Sequence, residues 1–426
     1  MKIATRTLGC KLNFAETSNL HRKFLEAGHS IVEFHEVADL YIINTCTVTA
    51  IAEKKCRNAI RQVSAINPKA KIAVLGCFAQ NEAQKIAQLP GVSFIIGNNN
   101  KHNLLEYINS EGNYPLIDTS QPESFELAYS FGDRTRTFFK IQDGCDYFCS
   151  YCAIPFARGR SRSATIAETI AMAHEIAKTG TKEVVLTGVN TGTFGQSHNE
   201  RFVDLLRELD KVDGIDRFRI SSIEPNLITP EIIDFVAESR AFLPHFHIPI
   251  QAASNKVLKM MRRRYDTELY AERVNYIKKQ MPDACIAVDI MTGFYGESET
   301  DFEQSIEYIK SIPISYLHVF TYSERPNTAA LKMDGKVEIA ERRRRSQILH
   351  QLSEEKMADF YKEQNGKSRP VLWESNIHHV DGQTFMQGWT DNYIRLQQPF
   401  DADHINKITH TTINNSTIVN NINFDN

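Results

Sequence analysis

The chain lacks what would seat it in a membrane or draw it as a whole onto a polyanion. No uninterrupted apolar run approaches the length of a membrane-spanning helix. The first residues, Met1-Lys-Ile-Ala-Thr-Arg-Thr-Leu8, carry no apolar core of the kind a secretory signal needs. Basic and acidic residues nearly cancel, 49 against 52 for a formal net charge of −3, so any nucleic-acid contact must be local. No internal repeat of useful period is present. Cysteine is scarce, 8 in 426 residues. Without a secretion signal that scarcity points to a reducing compartment, where clustered cysteines are more often metal ligands or catalysts than disulfides. A cytoplasmic protein with no membrane partner is expected.

What is present is ordinary globular material with an unusual use of cysteine. Apolar residues make up 42% and charged residues 24%, and the length allows two or three domains. Cys145, Cys149 and Cys152 form C-x3-C-x2-C within Lys140-Ile-Gln-Asp-Gly-Cys-Asp-Tyr-Phe-Cys-Ser-Tyr-Cys-Ala-Ile-Pro155. Three thiolates suit a [4Fe-4S] cluster that keeps one iron open for chemistry. A zinc knuckle would need a fourth ligand, and His174 is the nearest candidate downstream. Plain buried cysteines are the third reading.

The pattern along the chain is α/β. Ile3–Leu8, Leu40–Ile43, Ile72–Leu75 and Phe94–Ile96 read as buried strands, with helices over Phe14–Ala27, Ala50–Ala65 and Asn81–Leu89. From residue 106 to about 135 the composition turns to Ser, Glu, Pro, Asp and Asn, and an irregular linker is expected. Strands then recur at Phe138–Ile141, Glu183–Leu186, Arg217–Ser221, His245–Ile250, Ile286–Met291 and Tyr316–Phe320, with helices between them. Six such units predict a partial (β/α) barrel, with chemistry at the carboxyl ends of its strands. A charged helix follows from 337 to about 365, then short β-type runs that suggest a small all-β barrel. The expected organisation is 1–120 (parallel α/β sheet), 121–135 (linker), 136–365 (barrel) and 366–426 (β-barrel).

A second trio emerges from this pattern. Cys10, Cys46 and Cys77 each follow a predicted strand. In a parallel sheet those strands end on one edge, so the three converge on one rim. Cys56 and Cys285 show no such placement and read as core.

Several segments in order resemble the methylthiotransferase family of radical S-adenosylmethionine (SAM) enzymes. They are Thr7-Leu-Gly-Cys-Lys-Leu-Asn-Phe-Ala-Glu-Thr17, Ile43-Asn-Thr-Cys-Thr-Val-Thr49, Val74-Leu-Gly-Cys-Phe-Ala-Gln80, the loop of Cys145, Ala157-Arg-Gly-Arg-Ser-Arg-Ser163, Leu186-Thr-Gly-Val-Asn190, Ser221-Ser-Ile-Glu-Pro225 and Val319-Phe-Thr-Tyr-Ser-Glu-Arg325. The resemblance covers nearly the whole chain. It implies a methylthiotransferase domain, a partial (β/α)6 radical SAM barrel and a TRAM-like C-terminal β-barrel. It also implies two [4Fe-4S] clusters, one on Cys145, Cys149 and Cys152 and one on Cys10, Cys46 and Cys77, with SAM as radical source and methyl donor. Leu8-Gly-Cys-Lys with Glu16-Thr17 is most similar to the branch acting on N6-threonylcarbamoyladenosine beside the tRNA anticodon. The other branches of the family act on isopentenyladenosine in tRNA or on a ribosomal-protein aspartate. A non-catalytic iron-sulfur protein is the reading from a different class.

Further residues follow from the resemblance and from position. Gly188, Asn190, Glu224 and Gln251 come just after strands and are expected to contact SAM. Arg158, Arg160, Arg162, Arg262, Arg263, Arg264, Lys367 and Arg369 are candidate RNA contacts. Expected partners are tRNA, an electron donor such as flavodoxin or ferredoxin, and a sulfur donor, with the protein itself a monomer. From Gly366 on, Lys367, Arg369, Arg395 and Lys407 face Glu374, Asp381, Asp391, Asp401, Asp403 and Asp425. That acidic balance is unusual for an RNA-binding module. Gln251-Ala-Ala-Ser254 and Gly293-Phe-Tyr-Gly-Glu297 depart from the family's usual Gln-Ser-Gly-Ser and Gly-Phe-Pro-Gly-Glu.

Overall fold

The computed structural model describes residues 1–47, 49–109, 115–132, 135–380 and 382–419. Asp381 and Asp425, counted above, lie outside them. The first sheet has six strands, all parallel, in the spatial order Ser30–Val32, Lys2–Thr7, Leu40–Thr45, Lys71–Gly76, Val92–Ile96, Leu116–Asp118. Leu40–Thr45 is buried along its whole length because helices cover both faces, each with its own apolar cluster. The order reverses beside Lys2–Thr7, creating a crevice at the carboxyl ends of the strands. The two outermost strands are three residues each. So short a run shows no period, and Leu116–Asp118 falls where an irregular linker was expected.

Six further parallel strands form the barrel: Arg136–Lys140, Glu183–Thr187, Arg217–Ile220, His245–His247, Cys285–Thr292 and Tyr316–Thr321. Single parallel bridges, Phe218 to Phe242 and Ser222 to His247, join its two halves. Alternation sets the two faces apart. Phe139, Val184, Leu186, Phe218, Ile220, Phe246, Ile286, Val288 and Leu317 join one large apolar cluster with the surrounding helices. Their alternates include Arg136, Glu183, Arg217, Arg219, His245, His247, Asp289 and His318, so the interior of the barrel is charged.

The C-terminal segment forms a four-stranded antiparallel sheet in the order Arg395–Pro399, Gln383–Thr390, Ser368–Val380, Ile408–Thr412. The chain then returns to the opposite edge, where the Gln397 N–H donates to the Thr417 carbonyl at 2.7 Å. This sheet covers the amino ends of the barrel strands. Arg217 donates to the carbonyls of Pro370 (2.8 Å) and Trp389 (3.2 Å), and Arg219 to that of Asp391 (3.2 Å). Trp389 is 6% exposed, stacked on Tyr393 at 4.4 Å beneath the Arg136 guanidinium.

That docking corrects two expected RNA contacts. Arg369 pairs with Asp283 (3.2 Å) and Asp391 (2.7 Å), and Lys367 with Asp283 (2.6 Å). These cations hold the sheet to the barrel. The acidic balance has the same origin, since Asp391 and Glu374 are consumed by Arg369 and Arg136. The helix Ile339–Gln364 straps the last barrel strands, with Arg342 and Arg345 buried against Glu324 and Glu297. No helix of the described residues is long and apolar enough to cross a membrane.

Candidate active site

The loop of Cys145 leaves the carboxyl end of the first barrel strand and is pinned at its base. A two-residue antiparallel ladder pairs Asp143 with Arg162 and Gln142 with Ser163, and the Cys145 N–H donates to the Gly159 carbonyl at 3.1 Å. Gly144, at φ 70°, is required there, because a Cβ would lie 1.9 Å from the Arg160 carbonyl oxygen. Phe148 adopts φ 49° and is held 38% exposed at the loop's crest.

Burial pushes the Cys145 thiol up to about 11 and the Cys152 thiol up to about 12. Deprotonating such thiols calls for a strong positive partner such as a metal. Arg263 supplies part of that field: its Nη1 donates to Cys149 Sγ at 3.0 Å, and its other nitrogens bind Glu224 and Tyr265. Arg263 was an expected RNA contact. Its side chain is 3% exposed, so it serves the cysteine loop instead.

Beside the loop opens a cavity of about 300 Å3. Cys145, Cys149, Cys152, Asn190, Glu224, Gln251 and Asp289 are among its lining residues. Neither polar atom of the Asn190 side chain has a partner with hydrogen-bond geometry among the described residues, so the amide is available to a ligand. Gln251 sits at φ 63°. The positive φ therefore falls on Gln251, and Ala253, standing where the family has Gly, needs no left-handed backbone. Gly188 does not line the cavity. Its missing Cβ leaves room for Gln142, which would otherwise be 2.8 Å away and which accepts from the Asn190 N–H.

The second trio assembles at the carboxyl ends of three neighbouring strands of the first sheet, Lys2–Thr7, Leu40–Thr45 and Lys71–Gly76. Gly9 fits closely here: a Cβ on it would meet the Cys46 Cβ at 2.8 Å. A single tetrahedral zinc with bonds of about 2.3 Å sets sulfurs about 3.8 Å apart. Among the described residues, neither trio brings its ligand atoms within 4.8 Å of one another. Neither is gathered tightly enough for a single zinc ion.

One short helix, Ile154–Arg158, connects the trios. The Ala157 carbonyl accepts from Asn98 Nδ2 at 2.7 Å, and the same nitrogen reaches Cys77 Sγ at 3.5 Å. Arg158 Nη2 donates to Asn13 Oδ1 at 2.6 Å, and that oxygen also faces Cys10 Sγ at 3.6 Å. Arg158 is 1% exposed and pairs with Asp143 (3.0 Å) and Glu16 (3.3 Å). Lys101 and Lys140 complete this buried network. Opposed by burial, these cations still hold the Glu16 and Asp143 carboxyls well below the usual carboxylate range. Arg158 is thus an internal tie rather than an RNA contact. Arg162, 10% exposed and turned toward Asp143, belongs with it.

A groove of about 650 Å3 runs outside both trios, lined by Thr47, Gln80, Phe148, Phe156, Arg160 and Arg325 among others. Arg160, 74% exposed, lies over the Phe148 ring at 4.8 Å. Arg262 and Arg264 are also exposed, the latter over Tyr147 at 4.1 Å.

Residues 2–97 match the model of an uncharacterized protein family designated UPF0004, and residues 139–309 match that of the radical SAM superfamily. The chain is 38% identical to threonylcarbamoyladenosine tRNA methylthiotransferase MtaB of Bacillus subtilis, across 96% of this chain and 93% of that one. It belongs to the radical SAM methylthiotransferase family. The Aquifex aeolicus protein of the same name is 37% identical, over 93% of this chain and 97% of its own. A tRNA-2-methylthio-N(6)-dimethylallyladenosine synthase from Syntrophus aciditrophicus is 33% identical, over 87% and 83%. Among solved structures, the radical SAM methyltransferase TsrM from Kitasatospora setae has a TM-score of 0.58 at 13% identity, over 75% of this chain and 72% of that one. That likeness concerns the fold alone. Superfamily membership implies a [4Fe-4S] cluster and SAM.

The sequence signals that could have found the missed residues were weak. Lys140 and Asp143 flank the cysteine loop, yet nothing local marks them as a pair. Glu16 and Lys101 meet only through the tertiary fold.

Proposed function

We propose that this chain adds a methylthio group to C2 of N6-threonylcarbamoyladenosine at position 37 of tRNA. Likeness over most of the chain to relatives named for that activity supports the substrate. The observation that carries the chemistry is the joining of two cysteine trios through Ile154–Arg158. Cys145, Cys149 and Cys152 would hold one [4Fe-4S] cluster, and Cys10, Cys46 and Cys77 a second. Together with SAM, such clusters supply the one-electron chemistry that breaks an unactivated C–H bond, and the sulfur and methyl group that replace the hydrogen.

The chain's own residues do the positioning. Arg263, oriented by Glu224, favours the charged form of Cys149. Asn190 and Gln251 face the cavity where SAM would lie. The buried Tyr147 and the half-buried Tyr151 line the same cavity and limit water there. The outer groove would admit a single-stranded loop, with Phe148 and Phe156 as stacking surfaces and Arg160 as a phosphate contact; Arg262 and Arg264, exposed outside its lining, would add further ones. A cytoplasmic monomer drawing electrons from a flavodoxin- or ferredoxin-type donor, and sulfur from a separate donor, completes the reading.

Nucleoside mass spectrometry of tRNA from a deletion strain tests it. The 2-methylthio form of threonylcarbamoyladenosine is expected to vanish while the unmethylthiolated nucleoside accumulates. Unchanged amounts of both would refute the assignment.

A further inference from the structure

The charged interior of the barrel has one cation too many. Lys11, Arg136, Arg217 and Arg219 face Glu183, Glu374 and Asp289, four bases to three acids; Asp216 and Asp391, which also act on Arg217, are matched by Lys182 and Arg369. Each acid is taken: Glu183 by Arg219 (3.0 Å) and Arg217 (3.7 Å), Glu374 by Arg136 (3.5 Å), and Asp289 by His247 (2.8 Å). The Lys11 ammonium has no ion-pair or hydrogen-bond partner among the described residues.

Lys11 reaches the interior from the other domain. It opens the helix Lys11–Glu26, and Phe14 and Ala15, on the same helix face, pack on the inward residues Phe138 and Val185. Its charge is felt by Tyr393, Arg136, Arg219 and Asp289, so it is enclosed by protein, yet it keeps partial access to solvent. That combination places the charge on the polar interior of the barrel, here called the chamber, rather than in the apolar core. Asp289 is one of the charges acting on Lys11 and also lines the cavity beside the cysteine loop.

An enclosed ammonium without a partner costs free energy and is pushed toward losing its proton, as burial does at Lys11; an arriving anion would hold it in the charged form. A divalent metal on His247, Asp289 and His318, whose ligand atoms lie within 4.8 Å, is the competing reading. It would add positive charge beside Lys11 and Arg219, where the excess is already positive. An anionic ligand removes the imbalance.

We propose that this chamber receives the carboxylate of the substrate's N6 group, with Lys11 as its counter-ion and Arg219, His247 and His318 as the polar wall. The inference rests on the threonylcarbamoyladenosine reading, because that substituent ends in a carboxylate. A dimethylallyl group carries no charge and would leave Lys11 stranded.

The test is equilibrium binding of iron-loaded protein to two anticodon stem-loops. One bears threonylcarbamoyladenosine and the other its carboxylate methyl ester. The wild type is expected to prefer the acid roughly ten- to a hundred-fold, the range of a charge-assisted contact. Lys11→Met is expected to erase the preference, and Lys11→Arg to retain part of it. A wild type that binds acid and ester alike overturns the proposal without any variant. So does a Lys11→Met protein that keeps the preference. SAM also carries a carboxylate, so its affinity is measured without RNA. If Lys11→Met weakens SAM binding and leaves the acid-to-ester ratio intact, Lys11 serves the cofactor and the proposal fails. Product formation is scored separately. A wild type that prefers the acid but methylthiolates neither RNA keeps the carboxylate site and loses the reaction.

Discussion

The two cysteine trios are built by opposite means. Cys145, Cys149 and Cys152 lie within eight residues of one another on a loop closed by its own hydrogen bonds. Cys10, Cys46 and Cys77 come from three strands and share a rim only because those strands are adjacent and parallel. The first trio depends on local backbone, the second on the whole sheet. Damage to the sheet should therefore dissolve one and spare the other.

The sharpest way to break the comparison is to delete each trio. Cys10, Cys46 and Cys77 changed together to Ala should lower iron by about half while SAM is still cleaved to 5'-deoxyadenosine. The same change at Cys145, Cys149 and Cys152 should abolish cleavage and leave the other half of the iron. Full iron retention in either variant would show that those cysteines are not ligands.

Arg158→Met should cost about 3 kcal/mol in chemical denaturation, as expected for removing one partner from a buried charge network. It should also reduce iron at the sheet trio first, because Asn13 sits between Arg158 and Cys10. Equal iron loss at both trios would blur the distinction.

Two glycines separate the trios more finely. Gly144→Ala, strained at φ 70° and blocked by a carbonyl, should impair SAM cleavage. Gly9→Ala, strained at φ 121° and crowding Cys46, should spare cleavage and lower sheet-trio iron. Each should destabilise by about 1–2 kcal/mol.

Asp301 serves as a control because its hydrogen bonds go to Ser254, Lys256 and Ser298 and to neither trio. Burial works against its charge, but Lys256 and the Ser298 cap draw its carboxyl down to about 2 in the folded state. The unfolded value is higher, so its stabilisation is complete above about pH 4 and is lost as pH falls through about 2. Asp301→Asn should cost on the order of 2 kcal/mol at pH 7 and almost nothing near pH 2. Iron at the two trios should be affected alike.

The smallest effect is expected from Arg160→Ala. As an exposed residue it should change stability by under about 0.5 kcal/mol. RNA affinity should weaken a few-fold, with the salt dependence reduced by about one unit. Unchanged RNA affinity would remove the outer groove from the binding surface.

Much of the fold could be read from periodicity. Every predicted barrel strand is present within two or three residues of its expected ends, because an outward apolar face forces strict alternation. The three-residue edge strands were illegible for want of length. The arginines misled for a different reason. Arg158 and Arg263, beside a cysteine loop, read as partners for an external anion. Folding supplies the anions internally, as Asp143, Glu16, Glu224 and Cys149. Lys367 and Arg369 read as RNA contacts and prove to be the attachment of the C-terminal sheet.

What the sequence by itself determined was the order of elements and the local cysteine loop, because both rest on spacings within a few residues. The contact between the trios, the burial of Arg158 and the unpartnered ammonium of Lys11 were decided by tertiary structure. Each depends on groups far apart in sequence, 145 residues between Asn13 and Arg158, whose charges have meaning only once the fold has excluded water from around them.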